Sequence, residues 1–168
     1  MMSGNFRTGI GYDIHPLVEN RELVLGGIKI PFEKGLDGWS DADVLTHALI
    51  DALLGAGALG DIGTHFPPGD PTYRGISSIK LLELTVDKLD KAGLGIINID
   101  VTIIAERPKL KEYRSPMRST LGRTLGIGID KISIKASTAN GVGFIGSEKG
   151  IAALVVATLE NSTKYRFV

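Results

Sequence analysis

Cysteine is absent from the 168 residues, so the chain has no disulfide to staple it and no thiolate to offer a metal. That fits a cytoplasmic setting. Nineteen basic residues balance nineteen acidic ones, so no global field draws in nucleic acid or an acidic partner, and an anionic ligand has to be held by local groups. No apolar run is long enough to span a bilayer, and no signal-peptide pattern opens the chain. Repeats, low-complexity tracts and linkers are missing too. Glycine, by contrast, is plentiful: 22 are scattered without a period, which indicates tight turns rather than disorder. A chain of this length is read as one domain, 1–168, able to bury a core.

Histidine is scarce, and two of the three fall in suggestive places. Asp13 and His15 stand two apart in Arg7–His15, a segment that reads as a strand, so both side chains point to one face. His47 belongs to a helix expected over about 41–57. Ser40 reads as its N-cap, with Asp43 three residues later. Leu45, Leu49, Ala52, Leu53 and Ala56 recur at helical spacing, while Asp43, His47 and Asp51 form a polar stripe that is either solvated or turned into a site. Two imidazoles and a carboxylate suit a divalent ion with one position left open, the arrangement of catalytic rather than structural zinc. Manganese or cobalt would accept the same donors. A carboxylate two residues from a histidine is common by chance, so on these residues alone a surface or core histidine stays an alternative.

The remaining pattern alternates sheet and helix. Strands are expected near 6–15 and 22–31, the latter interrupted by Gly26-Gly27 and ended by Pro31. Pro67-Pro68-Gly69-Asp70-Pro71 is a breaker cluster. An amphipathic helix follows from Ser77 to Lys91, closed by Gly93. Ile96–Ala105 and Lys131–Ala136 alternate as strands, with a short helix at 114–125 between them. Ile151–Leu159 suits either type.

Several blocks together resemble the 2-C-methyl-D-erythritol 2,4-cyclodiphosphate synthase family of non-mevalonate isoprenoid biosynthesis. They are Gly9–His15, Gly26–Leu36, Ser40–Phe66 with Gly60-Asp61-Ile62-Gly63, Val101–Lys109, Lys135–Thr138 and Gly143-Phe144. The resemblance implies an α+β fold, an α/β sandwich with a mixed sheet, with Ile151–Leu159 as a strand. It further implies a homotrimer whose sheets line a threefold axis and whose active sites lie between subunits. The implied substrate is a small cytidine diphosphate, with no role for nucleic acid or membrane. By the same resemblance Asp13, His15 and His47 hold zinc. Asp13, His15, Ser40, Asp61, Ile62, Gly63, Phe66, Asp70 and Phe144 bind the methylerythritol phosphate part. Ala105, Pro108, Lys109, Leu110, Ala136, Ser137 and Thr138 form the cytidine pocket, and Thr138 polarises the phosphates. Magnesium or manganese accompanies the diphosphate. His65 receives no role and is expected at the surface or in the core.

The chain departs from the family pattern at four places. Trp39 stands where the family has a phosphate-contacting histidine; its indole keeps one donor but cannot carry charge. Asn140 replaces a glutamate that helps hold magnesium, leaving a neutral carbonyl oxygen. Pro68 replaces an aspartate. Ser147 replaces an arginine that, in relatives, faces the trimer axis and binds prenyl diphosphates, which argues against that regulation here. Two readings follow: a working synthase with a variant pocket, or a member that keeps fold, trimer and metal in a binding, scaffold or altered-substrate role. A generic zinc hydrolase lacks a glutamate beside the ligands to serve as base.

Overall fold

In the computed structural model, residues 6–161 are described; the two ends of the expected 1–168 domain lie outside them. The strands are β1 (Phe6–Glu19), β2 (Leu23–Leu25), β3 (Ile28–Ile30), β4 (Lys34–Leu36), β5 (Leu94–Ile104), β6 (Ile132–Ser137) and β7 (Gly150–Asn161). The helices are α1 (Val44–Gly57), α3 (Ser78–Lys91) and α4 (Arg114–Leu125), with single-turn α2 (Ile62–His65) and α5 (Gly143–Gly146). Five strands form one sheet in the order β4-β1-β7-β5-β6, and β2-β3 form a separate hairpin. β5 and β6 run parallel, while the β4-β1, β1-β7 and β7-β5 pairs run antiparallel. The sheet is mixed and the fold α+β. The last apolar run is a strand paired along β1.

Two glycines decide how α1 meets this sheet. A Cβ on Gly11 would lie 1.9 Å from the Ala48 carbonyl oxygen, and one on Gly9 would lie 2.1 Å from that of Ala52. The helix answers with Ala48, Ala52 and Ala56 at four-residue spacing, so backbone packs on backbone. α1 is buried on nearly every side: Val44, Ile50 and Leu54 are covered as fully as the expected apolar face. A helix apolar all round belongs in a core, and its position between β1 and α3 explains why.

Three sequence expectations need correction. The helix starts at Val44 and its N-cap is Asp43, not Ser40. Asp43 is wholly buried and leaves the polar stripe altogether. Its carboxylate accepts the Thr46 N–H at 3.1 Å and hydroxyl at 2.7 Å, and the N–H groups of Gly26 and Gly27 at 2.9 and 2.7 Å. The single strand expected over 22–31 is a hairpin, because Gly26 and Gly27 both take positive φ, 56° and 73°, the geometry of a two-residue turn. β1 continues to Glu19, where its last residues pair with β4.

The helices cover one face of the sheet. On the other, Ile10 and Tyr12 of β1 are 67% and 53% exposed, beside the part-exposed Ile14 and Leu154. No helix among the described residues is long and apolar enough to cross a membrane.

Candidate metal centre and nucleotide pocket

β1 brings Asp13 and His15 to the helix-covered face two residues apart, directly beyond Gly11. α1, seated against that glycine, delivers His47. Asp13 Oδ2 lies 3.0 Å from both His15 Nε2 and His47 Nδ1, and the two imidazole nitrogens are 3.2 Å apart. Among the described residues this is the one group of three such side chains whose ligand atoms converge. Two donors bonded at about 2.0–2.1 Å to a tetrahedral ion would be separated by roughly 3.3 Å, so the triangle fits a divalent cation.

The outer nitrogen of each imidazole is occupied. His15 Nδ1 donates to the Asp37 carbonyl at 2.5 Å, leaving Nε2 as the ligand atom. His47 Nε2 faces Ser40 Oγ at 3.0 Å and Ser78 Oγ at 2.8 Å. Burial pushes the Asp13 carboxyl up, but the hydrogen bond and charge of His15 outweigh it and hold it well below the usual carboxylate range. Burial pulls His15 down, but its hydrogen bond to Asp13 and that carboxylate's charge raise it above its ordinary value. Without an ion, the Asp13 carboxylate and the His15 imidazole hold each other by hydrogen bond and opposite charge.

The loop after β4 is fixed from outside. Arg21 donates to the carbonyls of Leu36, Gly38 and Ser40 at 3.1, 3.3 and 3.4 Å and pairs with Asp37 at 3.3 Å. Gly38 is required there, because a Cβ would sit 2.8 Å from His15 Cε1. A pocket of about 240 Å³ opens over the three converging side chains, walled by Trp39, Ser40, Ile62, Gly63, Phe66, Pro68, Tyr73 and Leu81. Of the residues expected on the methylerythritol side, Asp13, His15, Ser40, Ile62, Gly63 and Phe66 meet here. Asp61, the N-cap of α2, stands next to Ile62 but outside the pocket wall, accepting the Thr64 N–H and hydroxyl at 2.7 Å; those bonds lower its carboxyl. Asp70 and Phe144 do not line it. Asp70 caps a 3-10 turn and holds the Thr72 N–H at 2.9 Å, and Phe144 stands half exposed on α5.

The Trp39 donor is already committed: its indole N–H bonds the Asp70 carbonyl at 3.0 Å, and the Arg74 guanidinium stands 5.8 Å from the ring centroid. Asp51, one helical turn beyond His47, accepts the Ile62 N–H at 2.7 Å and so sets the height of α2 against α1. Burial raises its carboxyl, the Ile62 bond opposing and the charges of Asp13 and Asp61 adding. His65 is half-buried and donates to the Leu59 carbonyl at 2.8 Å.

A second pocket, of about 280 Å³, gathers all seven residues expected around cytidine: Ala105, Pro108, Lys109, Leu110, Ala136, Ser137 and Thr138. It lies where parallel β5 and β6 end side by side and shares no lining residue with the metal pocket. Glu106, Lys111 and Arg114 also stand in its wall, and nothing in the sequence pattern had singled them out. Glu106 accepts the N–H groups of Ala139 and Gly141 at 3.2 and 3.4 Å, so it shapes the turn carrying Asn140. Asn140 Oδ1 accepts the Thr138 hydroxyl at 3.3 Å. Ser147 bonds back to the Gly143 carbonyl at 2.9 Å and closes α5. Ser78, Asp41 and Arg21 were missed as well. Only Asp41, next to Ser40 and two residues from Asp43, stood close enough to the motif to signal itself.

Comparison with known proteins agrees with this layout. The family model described as YgbB family matches residues 6–160. The 2-C-methyl-D-erythritol 2,4-cyclodiphosphate synthase of Dehalococcoides mccartyi (strain CBDB1) is 56% identical over 154 residues, 92% of this chain and 98% of that protein. The protein of the same name from Clostridium perfringens (strain 13 / Type A) is 56% identical over 153 residues, 91% of this chain and 98% of its own. Among solved structures, the bifunctional IspDF from Campylobacter jejuni superposes with a TM-score of 0.91 at 41% identity, over 95% of this chain and 43% of that one. A CDP-bound 2C-methyl-D-erythritol-2,4-cyclodiphosphate synthase gives 0.84 at 35% identity, over 91% and 99%.

Proposed function

The chain belongs to the YgbB family of 2-C-methyl-D-erythritol 2,4-cyclodiphosphate synthases, and from that premise we propose that it cyclises 4-diphosphocytidyl-2-C-methyl-D-erythritol 2-phosphate with release of CMP. The observation that carries this reading is the convergence of Asp13 Oδ2, His15 Nε2 and His47 Nδ1 at 3.0–3.2 Å on the floor of a pocket. Zinc held there, or manganese or cobalt in its place, would supply Lewis-acid charge and a template for a phosphate oxygen.

The protein's own residues then have to bend and align one molecule. An oxygen of the 2-phosphate forms a bond to the β-phosphorus. The bond from that phosphorus to the bridging oxygen breaks, and its electron pair leaves with CMP. No water, redox partner or covalent nucleophile enters the balance. Since both reacting groups belong to one substrate, alignment alone is worth on the order of 7–11 kcal/mol in favourable systems. Asp61 and the α2 backbone, their height set by Asp51, would hold the methylerythritol hydroxyls. Lys109 and the main chain around Ala105 and Ala136 would seat the cytidine. The Thr138 hydroxyl, turned from Asn140, would donate to the diphosphate. Asn140 offers only a neutral oxygen to a magnesium or manganese ion arriving on that diphosphate.

The two pockets share no wall, and the exposed face carrying Ile10, Tyr12 and Leu154 has no cover in one chain. Both features favour a homotrimer in which one subunit's metal pocket faces its neighbour's nucleotide pocket. The test is product analysis. Zinc-loaded protein incubated with the substrate and magnesium is expected to give CMP and a cyclic diphosphate in equal amounts by phosphorus NMR. No CMP from protein with zinc bound would overturn the synthase and favour a binding or altered-substrate role.

A further inference from the structure

Both hydroxyls facing His47 Nε2 could in principle donate or accept, so neither by itself settles which ring nitrogen carries the proton. The choice matters. On the other side of the ring Asp13 Oδ2 lies 3.0 Å from Nδ1, close enough to hold a proton there. That tautomer would close the nitrogen to a cation.

Asp41 removes the ambiguity. Its carboxylate only accepts: the Ser78 N–H donates to Oδ2 at 2.9 Å, the Ser78 hydroxyl makes a short bond to Oδ1, and the Asp43 N–H reaches Oδ1 at 3.3 Å. With its proton spent on Asp41, Ser78 Oγ presents only lone pairs to His47 at 2.8 Å. Facing those lone pairs at the shorter of its two hydroxyl contacts, His47 Nε2 carries the proton, and Ser40 Oγ at 3.0 Å, which already accepts the Ala42 N–H at 3.3 Å, serves as a second acceptor. Ser78 is fully buried, so water does not substitute for it. A hydrogen bond to a carboxylate is roughly twice as strong as one between neutral groups, which sets the direction of the whole chain. His15 is treated differently, its Nδ1–H held by the Asp37 carbonyl, a main-chain acceptor that no side-chain change removes.

We propose that Asp41 and Ser78 are positioning residues that fix His47 as its Nε2–H tautomer and thereby reserve Nδ1 for the metal. This rests on the reading of Asp13, His15 and His47 as a metal centre. Outer partners of this kind typically govern 10–100-fold of metal affinity.

The test compares wild type, Asp41→Asn and Ser78→Ala. Asp41→Asn keeps shape and volume, but its amide group can donate to Ser78 Oγ, turning the Ser78 hydroxyl toward His47 Nε2 and favouring the Nδ1–H tautomer. Zinc affinity would be measured by competition with a chromophoric chelator. The His47 tautomer in metal-free protein would be read by long-range proton–nitrogen NMR, and thermal melting would certify the fold. Wild type is expected to show Nε2–H. Both variants are expected to bind zinc roughly 10–100-fold more weakly, with Asp41→Asn shifting His47 toward Nδ1–H. Zinc affinity within twofold of wild type in both folded variants, with His47 unchanged, would overturn the relay alone. Wild-type protein that binds no zinc would overturn the metal centre and the relay with it.

Discussion

Gly11→Ala is the substitution that most directly couples the fold to the site. The added Cβ would sit 1.9 Å from the Ala48 carbonyl oxygen and 2.7 Å from the Ala52 nitrogen. Both belong to helix backbone, which cannot rotate aside as a side chain can. Reaching an ordinary contact of about 3.4 Å would require α1 and β1 to part by about 1.5 Å. The same separation acts on the ligands, because Asp13 and His15 ride on β1 and His47 on α1. Contacts now at 3.0–3.2 Å would open toward about 4.5 Å, beyond what a cation with bonds near 2.1 Å can bridge. Overpacking of this severity costs about 3 kcal/mol, or a Tm lower by roughly 6–12 °C at this chain length. The control is Gly55→Ala on the same helix, where the nearest atom to the new Cβ is Ile10 O at 4.0 Å. Relief of helical glycine should there add about 0.5–1 kcal/mol. The assay is calorimetric unfolding of both variants at matched protein concentration, with zinc affinity measured in parallel. Gly11→Ala protein that binds zinc like wild type would refute the claim that this backbone contact sets the ligand triangle.

Three further outcomes are expected. Asn140→Glu should raise turnover roughly tenfold, one charge-assisted contact being worth about 1.5 kcal/mol, and wild type should bind magnesium only weakly without substrate by calorimetry; tight binding would contradict the role given to Asn140. Trp39→His should raise turnover while lowering Tm by about 2–4 °C, since the indole bond to Asp70 is lost; unchanged turnover would sink the idea that a missing imidazole limits the rate. The third concerns pH. In metal-free protein the stability contributed by His15 is complete below its unfolded value of 6.5 and is lost as pH rises through its raised folded value. That contributed by Asp13 is present above 3.8 and lost as pH falls through its lowered value. The metal-free Tm should therefore fall on the alkaline side of neutrality, while the zinc-loaded Tm climbs over the same range because ligands bind deprotonated. Parallel slopes in the two forms would be the contrary result.

Legibility in the sequence followed the range of the interactions. Asp13 and His15 could be placed on one face because a strand alternates by two, and α4 at 114–125 matched because its period is local. Resemblance joined the two pockets' residues before any geometry was visible. What escaped were contacts set by tertiary packing. Ser40 looked like a cap by its spacing to Asp43, yet Asp43 took the role because the Gly26-Gly27 turn brings two more donors to its carboxylate. Gly9 and Gly11 gave no sign that a helix backbone lies against them. Ser78 lies 31 residues beyond His47, and nothing in the intervening sequence ties the two together. The Trp39 indole counted as a free donor until the fold placed the Asp70 carbonyl beside it.

Asp13, His15 and His47 are proposed to form a metal centre with a defined nitrogen from each ring. The measurement that addresses it most directly is anomalous diffraction at the zinc edge from crystals grown with zinc. One strong peak per chain is expected, bonded to Asp13 Oδ2, His15 Nε2 and His47 Nδ1 at about 2.0–2.2 Å. No peak at that triangle, or a peak ligated through His47 Nε2, would contradict it.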